Sequence, residues 1–89
     1  MSEKEAVKKV LAELKEHNRS AYLIAGEVQG VKRKFHRSNL SDWARGTRAV
    51  SEGMKARMAR EIQRHCKETG MEFPAELEKY VSHGRAKVA

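Results

Sequence analysis

Eighty-nine residues, 39% hydrophobic and 35% charged, suffice for one modest core and leave no room for a second domain or a deep cleft between lobes, which argues against enzymes that close two lobes on a substrate. The 19 Lys and Arg against 12 Asp and Glu give a net charge of +7, a surplus that attracts polyanions. The single cysteine, Cys66, excludes an intramolecular disulfide, and the longest apolar stretch, 21–25, is far too short to span a bilayer. With no signal or transit peptide legible, a soluble cytoplasmic protein is expected.

In chain order, Ser2 followed by Glu5 is a capping-box pattern, and Val7, Val10, Leu11 and Leu14 then recur on one helical face. This predicts a first helix from about residue 3 to about residue 17. Asn18 or Ser20 is placed to cap a second, short helix over 21–28, apolar almost all round, that ends near Gly30 with Val31 dropping back onto the core. The span 32–36 has no usable period and reads as a basic loop pinned to the core through Phe35. A third helix begins near Arg37 or Ser38, buries Leu40 and Trp43, lets a neighbour approach at Ala44, and stops at Gly46. Ser51 is a natural cap for a fourth helix whose inner stripe is Met54, Met58, Ala59, Ile62 and Cys66, closed by Gly70. Pro74 then opens a last helix with Leu77, Tyr80 and Val81 as its apolar face, followed by a basic tail over 82–89.

Five short helices and no alternating strand pattern predict an all-α fold, a compact orthogonal bundle containing a helix-turn-helix, with residues 1–81 as a single domain and the motif over about 20–48. Tyr22, Trp43 and Phe73 are expected in the core, as usual for aromatics in so small a domain. Leu77, Tyr80, Val81 and Phe73 together offer more apolar area than one small core uses, and 74–81 is the expected dimerisation helix.

The charge is not evenly spread. Residues 20–50 hold six Lys or Arg against two Asp or Glu, a net +4, and four of those cations fall in Lys32-Arg-Lys-Phe-His-Arg37. The third helix therefore starts in a strongly positive field and offers polar side chains to solvent, as a DNA-reading helix does. Ser38-Asn-Leu-Ser-Asp-Trp43, followed by Ala44-Arg-Gly-Thr-Arg-Ala-Val-Ser51, resembles the recognition helix, glycine-containing turn and helix-opening serine of the lambda-repressor-like, XRE-type helix-turn-helix proteins. Leu40 and Trp43 lie about five positions later than the compact motif places them, so the turn is extended and carries the basic run.

The resemblance implies a sequence-specific double-stranded DNA-binding protein, a prokaryotic, phage or plasmid transcriptional regulator acting as a homodimer and associated with the nucleoid. Its base contacts fall on Arg37, Ser38, Asn39, Ser41, Asp42 and Arg45. Arg37 and Arg45 are suited to guanine O6 and N7, Asn39 to adenine, and Asp42 to cytosine N4 or to orienting an arginine. Phosphate contacts fall on Lys32, Arg33, Lys34, His36, Arg48 and the amides at Ser51 and Glu52.

No enzymatic role is expected: no nucleophile has a base at a recognisable interval, and no glycine-rich phosphate loop is present. No cofactor or metal is expected either, since His65 and Cys66 are adjacent and point apart on a helix, while His17, His36 and His83 show no ligand spacing. The competing reading is a protein-interaction or assembly module, or a non-specific nucleic-acid binder, that uses the basic loop 32–37.

Overall fold

The computed structural model describes residues 2–26, 35–47 and 49–81, the side chain of Tyr22 excepted. Among them the chain is all-α, with α1 at Glu3–Glu16, α2 at Ala21–Ala25, α3 at Arg37–Arg45 and α4 at Glu52–Thr69. A 3-10 turn at Ala75–Leu77 then runs into a helical turn over 78–81. No strand occurs among the described residues. The expected turn at Gly30 and Val31, the basic run Lys32 to Lys34, Arg48 and the tail over 82–89 lie outside the described residues.

The helices start and stop where their caps dictate. Ser2 Oγ accepts the Glu5 N–H at 3.2 Å and donates to the Glu5 carboxylate at 2.9 Å, fixing the first turn of α1. Asn18 closes α1 rather than capping α2: it adopts a left-handed φ of 63°, tolerable for asparagine, and the Arg19 N–H turns back to the Leu14 carbonyl at 2.8 Å. Ser51 Oγ caps α4 by accepting the Met54 N–H at 3.2 Å, and Gly70 ends it. Pro74 sits one residue outside the first turn expected for it, in the capping position of the 3-10 turn.

Two expectations for the second helix are corrected. It ends at Ala25, short of the expected 28, and Gly26 takes a positive φ, 78°, with its N–H on the Leu23 carbonyl at 3.1 Å. Nor is it buried all round, since Leu23 is 42% exposed. This five-residue helix packs against α3 and α4, buries Ile24 and Ala25, and leaves Leu23 to solvent.

α1 is the hub, lying against α3, α4 and the last turn, while α2 lies against α3 and α4. The core runs from Val7, Val10 and Leu14 through Leu40 and Trp43 to Met58, Ile62 and Leu77, all 4% exposed or less. Phe35 is buried with them, as expected for the anchor of the basic loop. The proposed dimerisation face is spent on this same core: Leu77, Tyr80 and Val81 are buried within the chain, and Phe73 packs against them half-buried. With so small a core, the apolar face of the last helix is used to close the bundle.

Two polar tethers cross the bundle. The Glu3 carboxylate accepts from Trp43 Nε1 at 2.8 Å, Lys55 Nζ at 2.9 Å and the Tyr80 hydroxyl, with Lys79 Nζ at 3.7 Å. One side chain thereby joins α1, α3, α4 and the last turn. Trp43 and Tyr80 meet edge to face, 84° apart with centroids at 5.7 Å, and Lys55 Nζ lies 6.0 and 5.6 Å from their ring centres. Burial opposes ionisation of Glu3, but the hydrogen bonds from Tyr80, Lys55 and Trp43 outweigh it and hold the carboxyl down at about 2. Burial, reinforced by the bond to Glu3, pushes the Tyr80 hydroxyl up.

At the other end of α4, buried His65 meets Arg19 through Nδ1 at 3.0 Å, and Arg19 also reaches Glu68 at 2.6 Å. A guanidinium only donates, so Nδ1 accepts and the ring proton sits on Nε2, which has no partner among the described residues. Burial, then the nearby Arg64 and Arg19 cations, lower the His65 pKa against the weaker pull of Glu68 and Glu61.

Glu3→Gln removes the charge on which three donors converge, and is expected to cost about 2 kcal/mol, a fall in Tm of roughly 8–16 °C. Because the folded carboxyl titrates below its unfolded value of 4.5, its contribution is complete above about pH 4.5 and is lost as pH falls towards about 2. Thermal melts over that range should show a shallower acid decline in the variant than in the parent; parallel declines would remove Glu3 from this role. The His65 pKa is depressed from 6.5, so its contribution is complete above that value and declines as pH falls. His65→Asn, which keeps an acceptor for Arg19, should lower Tm overall and flatten its decline as pH falls below 6.5.

Candidate nucleic-acid interface

α3 owes its position to Leu40 and Trp43, which point into the core, and its length to its two ends. His36 caps the start: Nδ1 accepts the Ser38 N–H at 3.1 Å and the Ser38 hydroxyl at 2.7 Å. This puts the ring proton on Nε2, on an exposed residue beside the first turn. Gly46 ends the helix at φ 70°, with its N–H on the Asp42 carbonyl at 2.8 Å. A Cβ there would stand 2.9 Å from Lys4 Cδ, so the glycine also lets the Lys4 stem lie over the end of α3.

At about 100° per residue, the direction opposite Leu40 and Trp43 is occupied by Ser38 and Arg45, with Ser41 and Asp42 to either side. Ser38, Ser41 and Arg45 are exposed, and Asp42 is half-buried. These four of the six expected base-reading residues make one crest. Arg37 and Asn39 stand off it, on the flanks and half-buried. Asn39 therefore does not share the direction of Arg45, because it follows Ser38 round towards the Trp43 side. Thr47 Oγ1 lies 3.5 Å from Asp42 Oδ1, giving that carboxylate a neighbour of its own.

Of the expected phosphate contacts, His36 is exposed and engaged as a cap, and Ser51 is exposed with its hydroxyl on the Met54 N–H. Lys32, Arg33, Lys34 and Arg48 are outside the described residues. Among the described residues, α1 brings a row of cations beside α3, where the sequence reading placed none. A groove of about 690 Å³ beside the α1–α3 contact is lined on the α1 side by Lys4, Lys8 and Lys15 and on the α3 side by Ser41, Ala44 and Arg45. Positions 4, 8 and 15 share one helical face, a signal visible in the spacing but hidden in the charge tally by the glutamates on neighbouring faces. A second row, Arg57, Arg60, Arg64 and Lys67, is exposed along α4, although Arg64 is held by Glu61 at 2.7 Å and Glu68 at 3.3 Å.

No group of three or more His, Cys, Asp or Glu among the described residues is placed to hold a metal ion. Cys66 is buried, and burial, then the Glu13 charge, raises its thiol to about 11, far from the reactive thiolate range. No described helix is long and apolar enough to cross a membrane. Comparison of the chain with protein-family models, with characterised proteins and with solved structures finds no match in any of the three.

His36→Ala deletes the cap of α3 and is expected to cost about 1 kcal/mol. Amide exchange should speed up at Ser38 and Asn39 while α4 keeps its protection; unchanged exchange at Ser38 would show that the imidazole does not hold the helix end.

Proposed function

We propose that the chain binds double-stranded DNA sequence-specifically, as a transcriptional regulator, and reads the major groove with the crest of α3. The observation that carries this reading is the crest itself: Ser38, Ser41, Asp42 and Arg45 project from a helix fixed by Leu40 and Trp43 and capped at both ends. A nine-residue helix is about 13 Å long, enough to lay its outer turns in a groove about 12 Å wide. Arg45 offers a guanidinium for guanine, Asp42 an acceptor for cytosine N4, and the two serines adaptable partners. Beside the crest, Lys4, Lys8 and Lys15 supply charge for a phosphate strand, which positions the helix without conveying sequence. The resemblance of 38–51 to lambda-repressor-like proteins supports the same reading. Two copies on adjacent half-sites would multiply the limited discrimination of so short a helix.

Selection from random duplex DNA at moderate salt tests this directly. Enrichment of a defined motif is expected, with its symmetry reporting the number of copies bound. Arg45→Ala should lose about 1–3 kcal/mol of discrimination at one base position, whereas Lys8→Ala should weaken all sequences alike and lower the salt slope by about 1. Retention of DNA without enrichment would reduce the protein to a phosphate binder, and no retention would end the DNA reading.

A further inference from the structure

The groove between α1 and α3 is built differently from a phosphate channel. Its apolar lining is the half-buried Leu11, Ala21 and Ala44 with the exposed Ala12 beside them, side chains with no donor to offer an anion, and the other lining residues apart from Ser41 are charged. Along one edge stand Lys4, Lys8 and Lys15, across from Arg45, with Glu5 the one acid among the lining residues. From Lys4 to Lys15 the cationic edge runs about 16 Å at 1.5 Å per residue, about three turns of helix. Alanines on both walls let another backbone approach closely, as they do where helices pack.

We propose that this groove docks an acidic amphipathic helix of a partner protein, with the partner's apolar stripe on Leu11, Ala12, Ala21 and Ala44 and its carboxylates against Lys4, Lys8, Lys15 and Arg45. Charge complementarity selects this occupant. A second copy of a chain carrying +7 would bring cations to a cationic rim. A duplex can use the cationic rim for its phosphates but leaves the apolar lining between the cations uncovered. The helix-in-groove mode uses both features, apolar anchors at helical spacing and a charged border that fixes register. Because Ser41 and Arg45 belong to the groove and to the crest of α3, an occupied groove covers part of the DNA-reading surface. That consequence, unlike the docking, rests on the DNA reading, and it makes partner and duplex mutually exclusive.

The test is a titration of the isotope-labelled full chain with a synthetic helical peptide of about 15 residues, leucine at i, i+3 or i+4 and i+7 and glutamate on both flanks. Saturable shifts are expected at the amides of Lys8, Leu11, Ala12, Lys15, Ala44 and Arg45. Ala12→Glu and Lys8→Glu, both at exposed helical positions, should each weaken binding about tenfold or more with unchanged melting. A peptide of the same composition with scrambled leucines should bind at least about tenfold more weakly. Equal binding of the scrambled peptide, shifts confined to Arg57, Arg60, Arg64 and Lys67, or no saturation by about 1 mM would each overturn the proposal. So would duplex DNA, and not the peptide, moving the Ala12 and Ala21 amides. Competition with a selected duplex is read separately: peptide and duplex bound together would end mutual exclusion and leave the docking intact, while failure to select any duplex would end the DNA reading alone.

Discussion

One carboxylate decides where the helices of this protein sit. Glu3 stands in the first turn of α1, where a negative charge also meets the positive end of the helix dipole, and takes donors from α3, α4 and the last helical turn. Half-buried polar contacts of this kind add modestly to net stability, because each donor gives up water to make them. Their larger effect is to penalise other arrangements: a bundle with α3 rotated or slid would leave the Trp43 N–H, the Tyr80 hydroxyl and the Lys55 ammonium seeking one acceptor that had moved.

The orientation of the outer face of α3 follows from that constraint. With Trp43 held by its ring against Tyr80 and by its N–H to Glu3, the helix cannot turn about its axis, and Ser38 and Arg45 are left on the side away from the core. The same tether draws the N-terminal half of α1 alongside α3, which opens the groove and stands Lys4 over Gly46. A structural contact on one side of the helix thus determines the charge that any ligand meets on the other.

Much of this was legible in the sequence, and the parts that were not share a cause. The caps at Ser2, Ser51, Gly46 and Gly70, the buried pair Leu40 and Trp43, and the inner stripe of α4 are local patterns, each set by residues within a turn or two of one another. Glu3 is 40 residues from Trp43 and 77 from Tyr80, and nothing near residue 3 announces either partner. Arg19 and His65, 46 apart, are hidden in the same way. The second helix misled for another reason: an apolar run from 21 to 25 looks buried on all sides, but a helix of five residues is too short for its neighbours to cover every side, and Leu23 is left exposed. The last helix misled through its surplus of apolar area, which has meaning only once it is known how much the other helices leave uncovered. In the candidate site, the crest of α3 was readable from its period, whereas its lysine border belongs to a helix that only the fold brings alongside.

The long reach of the Glu3 contacts also bears on how the chain is made. A ribosome adding about 5–20 residues per second takes roughly 4–15 s to travel from Glu3 to Tyr80, and for that interval α1 has its cap but not its covering. Val7, Val10 and Leu14 must wait for α3, α4 and the last turn to be synthesised. During the wait α1 is an amphipathic helix with a bare apolar stripe, the kind of segment that chaperones hold and that neighbouring nascent chains stick to. Lys4, Lys8 and Lys15, on a flank of that stripe, keep it in water and repel its own kind, so the cations that border the finished groove first serve the unfinished chain.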